Sequence, residues 1–148
     1  MQITVEIIVS SSLEKAFAVF TDFPNAATIV SAIDQVDMLT PGPVGVGTRF
    51  TETRTMMGKS ASEDMTVSVF NPSQRCVLTA FSNGTHYETA FTFAKSGDAT
   101  LATVTFTATP KTFLSRILNA LMGPLLGKSI RKMLEQDMLD RKKAAETA

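Results

Sequence analysis

Apolar and polar positions alternate along residues 2–9, with Ile3, Val5, Ile7 and Val9 on one side and Thr4 and Glu6 on the other. This predicts a strand whose Ile3–Val9 side faces the core. After Ser10-Ser11-Ser12 the period changes: Leu13, Ala16, Phe17 and Phe20 recur at helical spacing behind a Ser N-cap, which predicts a helix of two to three turns. Asp22-Phe23-Pro24-Asn25 stops it, and Pro24 opens a second short helix through Ala26, Ala27 and Ile29. The chain reads extended again from Ile33 to Leu39, and residues 40–47 are a loop by their Gly and Pro content.

Five more strands are predicted over Thr48–Met57, Ser62–Phe70, Arg75–Ser82, Thr85–Ala94 and Thr100–Thr109. The links between them, such as Asn71-Pro72-Ser73 and Asn83-Gly84, are short and turn-like, so successive strands must run antiparallel. In the second of these strands Glu63, Met65, Val67 and Val69 share one side. In the last, Val104 and Phe106 mark the dry face between threonines. Pro110 is expected to end the sheet. Thr112 then caps a long helix with a wide apolar stripe from Phe113 to Leu139, which Gly123-Pro124 should kink or divide. The tail after Lys143 has nothing obvious to pack against and is expected to fray. A single antiparallel sheet of this length must curl, and the long helix is the one element large enough to cover its concave face.

Composition narrows the function classes. With 148 residues, 44% hydrophobic and zero formal net charge, the chain is one domain with a real core, and it lacks the basic excess of a nucleic-acid binder. One Cys and one His give no basis for a disulfide, a zinc site or another metal centre, and no cofactor motif is present. Gly42, Gly45 and Gly47 resemble a phosphate loop only superficially, because Pro41 and Pro43 intrude and a strand follows instead of a helix. No signal peptide is visible at the N-terminus, and the apolar run Phe113–Gly127 falls short of the ~18 residues a membrane span needs. A cytoplasmic protein is expected, as monomer or homodimer.

The run Ile7–Phe17 resembles the first strand, polar turn and helix of a known family, and Asp22-Phe23-Pro24-Asn25 resembles its helix–helix junction. Gly45-Val46-Gly47-Thr48-Arg49-Phe50 resembles its next strand start, and Val69–Arg75 its Pro-containing turn. The family is the START and birch-pollen-allergen (SRPBCC) superfamily, in its polyketide cyclase/dehydrase and lipid-transport branch. The resemblance implies an α+β helix-grip fold: a curved antiparallel sheet of about seven strands wrapped around a long C-terminal helix, with two short helices after the first strand. It also implies a hollow for an apolar small molecule such as a lipid, polyketide, sterol or quinone. Catalytic residues are not shared across the superfamily, so none carries over.

Within that frame the chain offers several candidate contacts. Phe50, Glu52, Arg54 and Met56 share one face of a strand whose other face is Thr51, Thr53 and Thr55. If the Phe50 face looks inward, Glu52 and Arg54 form a polar anchor in a low-dielectric hollow; the commoner arrangement has them as solvated cross-strand partners. Glu63 falls either at the cavity end of the next strand, near Arg54, or, as is commoner for a strand-end Glu, at the rim. Tyr87 shares a face with Phe91 and Phe93, which places its ring inside, its hydroxyl meeting either a ligand or a neighbouring carbonyl. His86 belongs to the outer face with Glu88 and Thr92. Met56, Met65, Met122 and Met133 fall where a cavity wall would be, either as adaptable contacts or as gap-fillers. Phe106 completes the apolar lining, and the segment Leu118–Leu126 around Gly123-Pro124 reads as a movable lid.

Charge is distributed unevenly. Residues 111–143 carry Lys111, Arg116, Lys128, Arg131, Lys132, Arg141, Lys142 and Lys143 against Glu135, Asp137 and Asp140. The usual reading is a solvated outer face; the sharper one is peripheral docking on an anionic membrane or acidic partner. Three functions therefore compete: a carrier or sensor of an apolar molecule, a cyclase or dehydratase using Glu52, Arg54 or Tyr87 as acid–base groups, and an adaptor working through its basic helix.

Overall fold

The computed structural model describes residues 1–56 and 58–147. Met57, expected at a strand end, and Ala148 of the tail lie outside the described residues. The elements follow in the order β1 (Gln2–Val9), α1 (Leu13–Phe20), a 3-10 turn at Phe23–Asn25, α2 (Ala26–Ile29), β2 (Ile33–Met38), β3 (Arg49–Met56), β4 (Lys59–Asn71), β5 (Arg75–Ser82), β6 (Thr85–Ser96), β7 (Ala99–Pro110) and α3 (Phe113–Thr147).

The seven strands form one antiparallel sheet in the order β1-β7-β6-β5-β4-β3-β2. β1 and β2 are thus opposite edges, and α1 and α2 carry the chain from one to the other. Ser12 caps α1 by accepting from the Lys15 backbone N–H at 3.2 Å. Behind that cap the α1 spacing delivers phenyl rings to the sheet. Phe17 meets Phe70 and Phe93 edge to face at 5.2 and 5.4 Å. Phe20 meets Phe91 and Phe93, and Phe23, just past the helix, stacks on Phe50 at 4.9 Å. This aromatic cluster fills one end of the sheet's inner face, together with the Ile3 and Val9 side of β1. Cys76 lies within it, and burial pushes its thiol up to about 12.

Strand β4 departs from the expected pattern. A bulge between Val67 and Val69 shifts the β4–β5 register, so Phe70, paired with Cys76, turns into the core where unbroken alternation from Glu63 would have put Val69. Pro110 ends the sheet as expected: it is the last residue of β7, opposite Thr85.

Helix α3 is continuous from Phe113 to Thr147 through Pro124 and is not divided there. Its start is fastened to the β5–β6 turn, where Asn83 and Gly84 have φ of 51° and 75°, the left-handed pair of a tight hairpin. The Ser115 hydroxyl donates to the Gly84 carbonyl at 3.1 Å, and a Cβ on Gly84 would meet Thr112 Oγ1 at 2.6 Å. The far end is fastened as well. Asp140 accepts from the Ser31 N–H and hydroxyl, Lys142 donates to the Ile8 carbonyl, and Glu146 accepts from the Ser10 N–H. With Ala145 fully buried, the tail described through Thr147 is docked, contrary to the expected fraying. Among the described residues no helix is long and apolar enough to cross a membrane, and no His/Cys/Asp/Glu group could hold a metal ion.

Candidate functional site

A cavity of about 280 Å³ lies between the inner faces of β3–β7 and the second half of α3. That is near the lower bound of small-molecule sites, ~300–1,000 Å³. Strand alternation supplies most of its wall: Met56 from β3, Met65 from β4, Leu78 and Ala80 from β5, Tyr87, Thr89 and Phe91 from β6, and Val104 and Phe106 from β7. From α3 come Ile130, Met133, Leu134, Asp137, Met138 and Arg141, a single helical stripe.

The Phe50 face of β3 is the inward one. Phe50 is buried in the core, and Glu52 and Arg54, two and four residues on, enter the cavity wall with side chains 13% and 12% exposed. The solvated cross-strand arrangement is therefore not adopted. Arg54 binds both neighbouring acids: its Nε donates to Glu52 Oε2 at 3.3 Å and its Nη1 to Asp137 Oδ2 at 3.0 Å. Arg141 adds a second guanidinium 3.9 Å from the same Asp137 oxygen and lies over the Phe91 ring at 5.2 Å. The two acids and two guanidiniums balance in formal charge, which offsets the cost of burying four ionic groups together.

The balance is not complete at the level of atoms. Asp137 Oδ1 is buried and accepts no hydrogen bond among the described residues. Burial pushes the Asp137 carboxyl above its ordinary value against the opposing pull of Arg54 and Arg141. Burial also pulls Arg141 down, against Asp137 and Glu52. For Arg54 burial acts downward, but Glu52 and Asp137 outweigh it and the guanidinium is raised. Glu63, directly opposite Glu52 in the β3–β4 register, is raised by burial first and then by Asp64 and Glu52, while a hydrogen bond with Ser82 resists. The cavity thus has an apolar body and one ionic end, bordered by an Asp137 whose second carboxylate oxygen is buried without a hydrogen-bond partner among the described residues.

Of the contacts expected from the sequence, Glu52, Arg54, Met56, Glu63, Met65, Tyr87, Phe91 and Phe106 are brought together in the cavity wall. The Tyr87 ring lies 5.9 Å from that of Phe106. Its hydroxyl makes no hydrogen bond among the described residues, so the neighbouring-carbonyl alternative is not realised. Leu118 and Met122 are placed elsewhere: both are 49% exposed and neither borders the cavity, because the first half of α3 does not turn them toward the sheet. Met133 does line the wall, and His86 does not. Sequence reasoning misses Asp137 and Arg141 as site residues, because it counts them among the charges of a basic helix. Their signal is positional: Ile130, Leu134, Asp137, Met138 and Arg141 recur at the spacing of one helix face.

Comparison with known proteins places this geometry in context. The family model described as polyketide cyclase / dehydrase and lipid transport matches residues 1–146. Among solved structures, TTHA0849 from Thermus thermophilus has a TM-score of 0.81 at 15% identity, with 98% of this chain and 97% of that one covered. The di-domain ARO/CYC BexL of the BE-7585A biosynthetic pathway has a TM-score of 0.82 at 14% identity, over 100% of this chain and 50% of that chain. Major latex-like protein 151 from Panax ginseng has a TM-score of 0.74 at 11% identity, over 100% and 98%. Identities this low speak for the fold alone. A comparison with curated protein sequences finds no match. The seven-stranded sheet, the long C-terminal helix and the match over nearly the whole length agree: the chain belongs to the polyketide cyclase/dehydrase and lipid-transport family, with the helix-grip fold of the SRPBCC superfamily.

Proposed function

We propose that this protein binds an apolar small molecule carrying one hydrogen-bond donor, with the apolar part against the methionines and aromatics and the donor on Asp137. The observation that carries this reading is the cavity's asymmetry: a largely apolar wall with the Glu52–Arg54–Asp137–Arg141 cluster at one end, where one buried Asp137 oxygen has no hydrogen-bond partner among the described residues. A buried acceptor without a donor is costly, and a ligand hydroxyl or phenol would satisfy it. Thioethers from Met56, Met65 and Met133 suit ligands of varied outline. A carrier or sensor needs only this volume and this anchor.

The test is binding of the fluorescent apolar probe N-phenyl-1-naphthylamine to the wild type and to Ala80→Phe, which places a ring in the cavity wall. The wild type should bind with near-unit stoichiometry. The variant should lose roughly tenfold or more in affinity while keeping its circular dichroism spectrum. Equal binding by both proteins would contradict the proposal.

One feature favours the cyclase or dehydratase reading instead: Asp137, raised by burial and lining the cavity, has the character of an acid–base group. Recovery of a bound natural ligand unchanged after long incubation supports carriage. Its conversion at substoichiometric protein supports catalysis.

A further inference from the structure

The first half of α3 has its apolar face on the wrong side for a helix that covers a sheet. At 100° per residue, Asn119, Gly123 and Gly127 share the side that carries Ile130, Leu134 and Arg141 inward further along the helix. Leu114, Leu118, Leu121 and Leu125 fall on the opposite side, and Leu114, Leu121 and Leu125 are 66%, 75% and 74% exposed, whereas Leu134 and Met138 are buried. The apolar face therefore inverts near Gly127. The inverted stretch is held at both ends, by Ser115 on the β5–β6 turn and by Arg131, whose Nη1 donates to the Thr4 carbonyl. A contiguous outward leucine stripe on a fixed helix calls for a partner.

Charge identifies which partner. From Ala99 to Leu134 there is no acidic residue, while Lys111, Arg116, Lys128, Arg131 and Lys132 bracket the stripe at both ends. None of these five forms an ion pair among the described residues. Lys128 and Lys132 continue the line of Leu121 and Leu125 at helical spacing, where long side chains reach phosphates while the leucines sink below them. A second copy on the same face would set these cations against their equals with no carboxylate in the stretch to relieve them. A bilayer surface rich in anionic lipid supplies both the apolar depth and the negative charge. We propose that the first half of α3 docks this protein in the plane of an anionic membrane surface. The proposal is independent of what occupies the cavity, since none of the docking residues lines it.

Flotation of the full chain with extruded vesicles tests it, using phosphatidylcholine alone and phosphatidylcholine mixed with phosphatidylglycerol. The protein should float with the mixed vesicles at low salt, be released at high salt, and stay behind with phosphatidylcholine alone. The variants Leu121→Glu/Leu125→Glu and Lys128→Glu/Lys132→Glu should each lower the bound fraction roughly tenfold or more. Both should retain N-phenyl-1-naphthylamine binding, which shows that they fold. No flotation with either vesicle, or variants that float like the wild type, overturns the proposal. So does a dimer in sedimentation equilibrium that Leu121→Glu/Leu125→Glu dissociates without any vesicle binding, because the occupant is then a second copy.

Discussion

Asp137 holds the ionic end of the cavity together. One of its oxygens meets both guanidiniums, so removing either changes the charge balance of a largely buried cluster. Arg54→Ala would leave Glu52 without its partner and Asp137 with only the longer Arg141 contact. Breaking a buried pair from one side costs about 3–5 kcal/mol. Urea unfolding should show a destabilisation of that order, and a change below about 1 kcal/mol would mean the cluster is solvated like surface ion pairs. At this scale the sequence is partly readable. Tyr87, Phe91, Met65 and Phe106 follow from strand alternation, because each sits on a strand with one clearly apolar face. Glu52 and Arg54 are not oriented so simply, since the face they share with Phe50 and Met56 mixes charged and apolar residues. Asp137 and Arg141 are hidden by their type: as charges on a basic helix they read as solvated, although their spacing puts them on its buried stripe.

Among the elements, α3 does the most varied work: its second half roofs the cavity, its first half turns leucines outward, and its end is clamped to β1 and α2. Asp140 is one such clamp. Partial burial acts to raise its carboxyl, but the bonds from Ser31 and Gln136 outweigh this and hold it below the ordinary value of 3.8. A carboxylate lowered by folding adds stability above its unfolded pKa and loses it as pH falls through the folded one. Asp140→Asn should therefore be less stable than the wild type near neutral pH, with the gap closing as acid carries the pH below the ordinary carboxylate range and through the lowered folded value. A gap in urea midpoints that stays constant from neutral pH into strong acid would show that the carboxylate charge plays no part. Element identity and order are legible in the sequence because the period changes from two to 3.6 at clear Ser, Pro and Gly signals. The bulge at Ser68 is not, since one inserted residue leaves no trace in composition. The docked tail escapes sequence reasoning because its fastening, Glu146 on Ser10, joins residues far apart in the chain. The expected lid Leu118–Leu126 rests on a break at Gly123-Pro124, whereas the helix runs through Pro124 undivided.

For the whole molecule, the antiparallel order with β1 and β2 at opposite edges leaves a concave face that α1 and α3 divide between them. The α1 end is packed solid with phenyl rings, and the α3 end is hollow. That division separates what holds the fold from what the fold holds. Family membership and the hollow both follow from short sequence matches, yet those matches fix the frame and say nothing about the ligand, whose recognition we propose to rest on Asp137. The account's central claim is that a donor-bearing apolar molecule fills the hollow with its donor on Asp137. Displacement of bound N-phenyl-1-naphthylamine by 2-naphthol and by 2-methylnaphthalene, matched in shape and differing in the donor, tests this most directly. A hydrogen bond to a charged group contributes about 1.5–3 kcal/mol, so 2-naphthol should displace the probe at roughly tenfold or more lower concentration. Equal displacement by the two compounds, or displacement by neither, would contradict it.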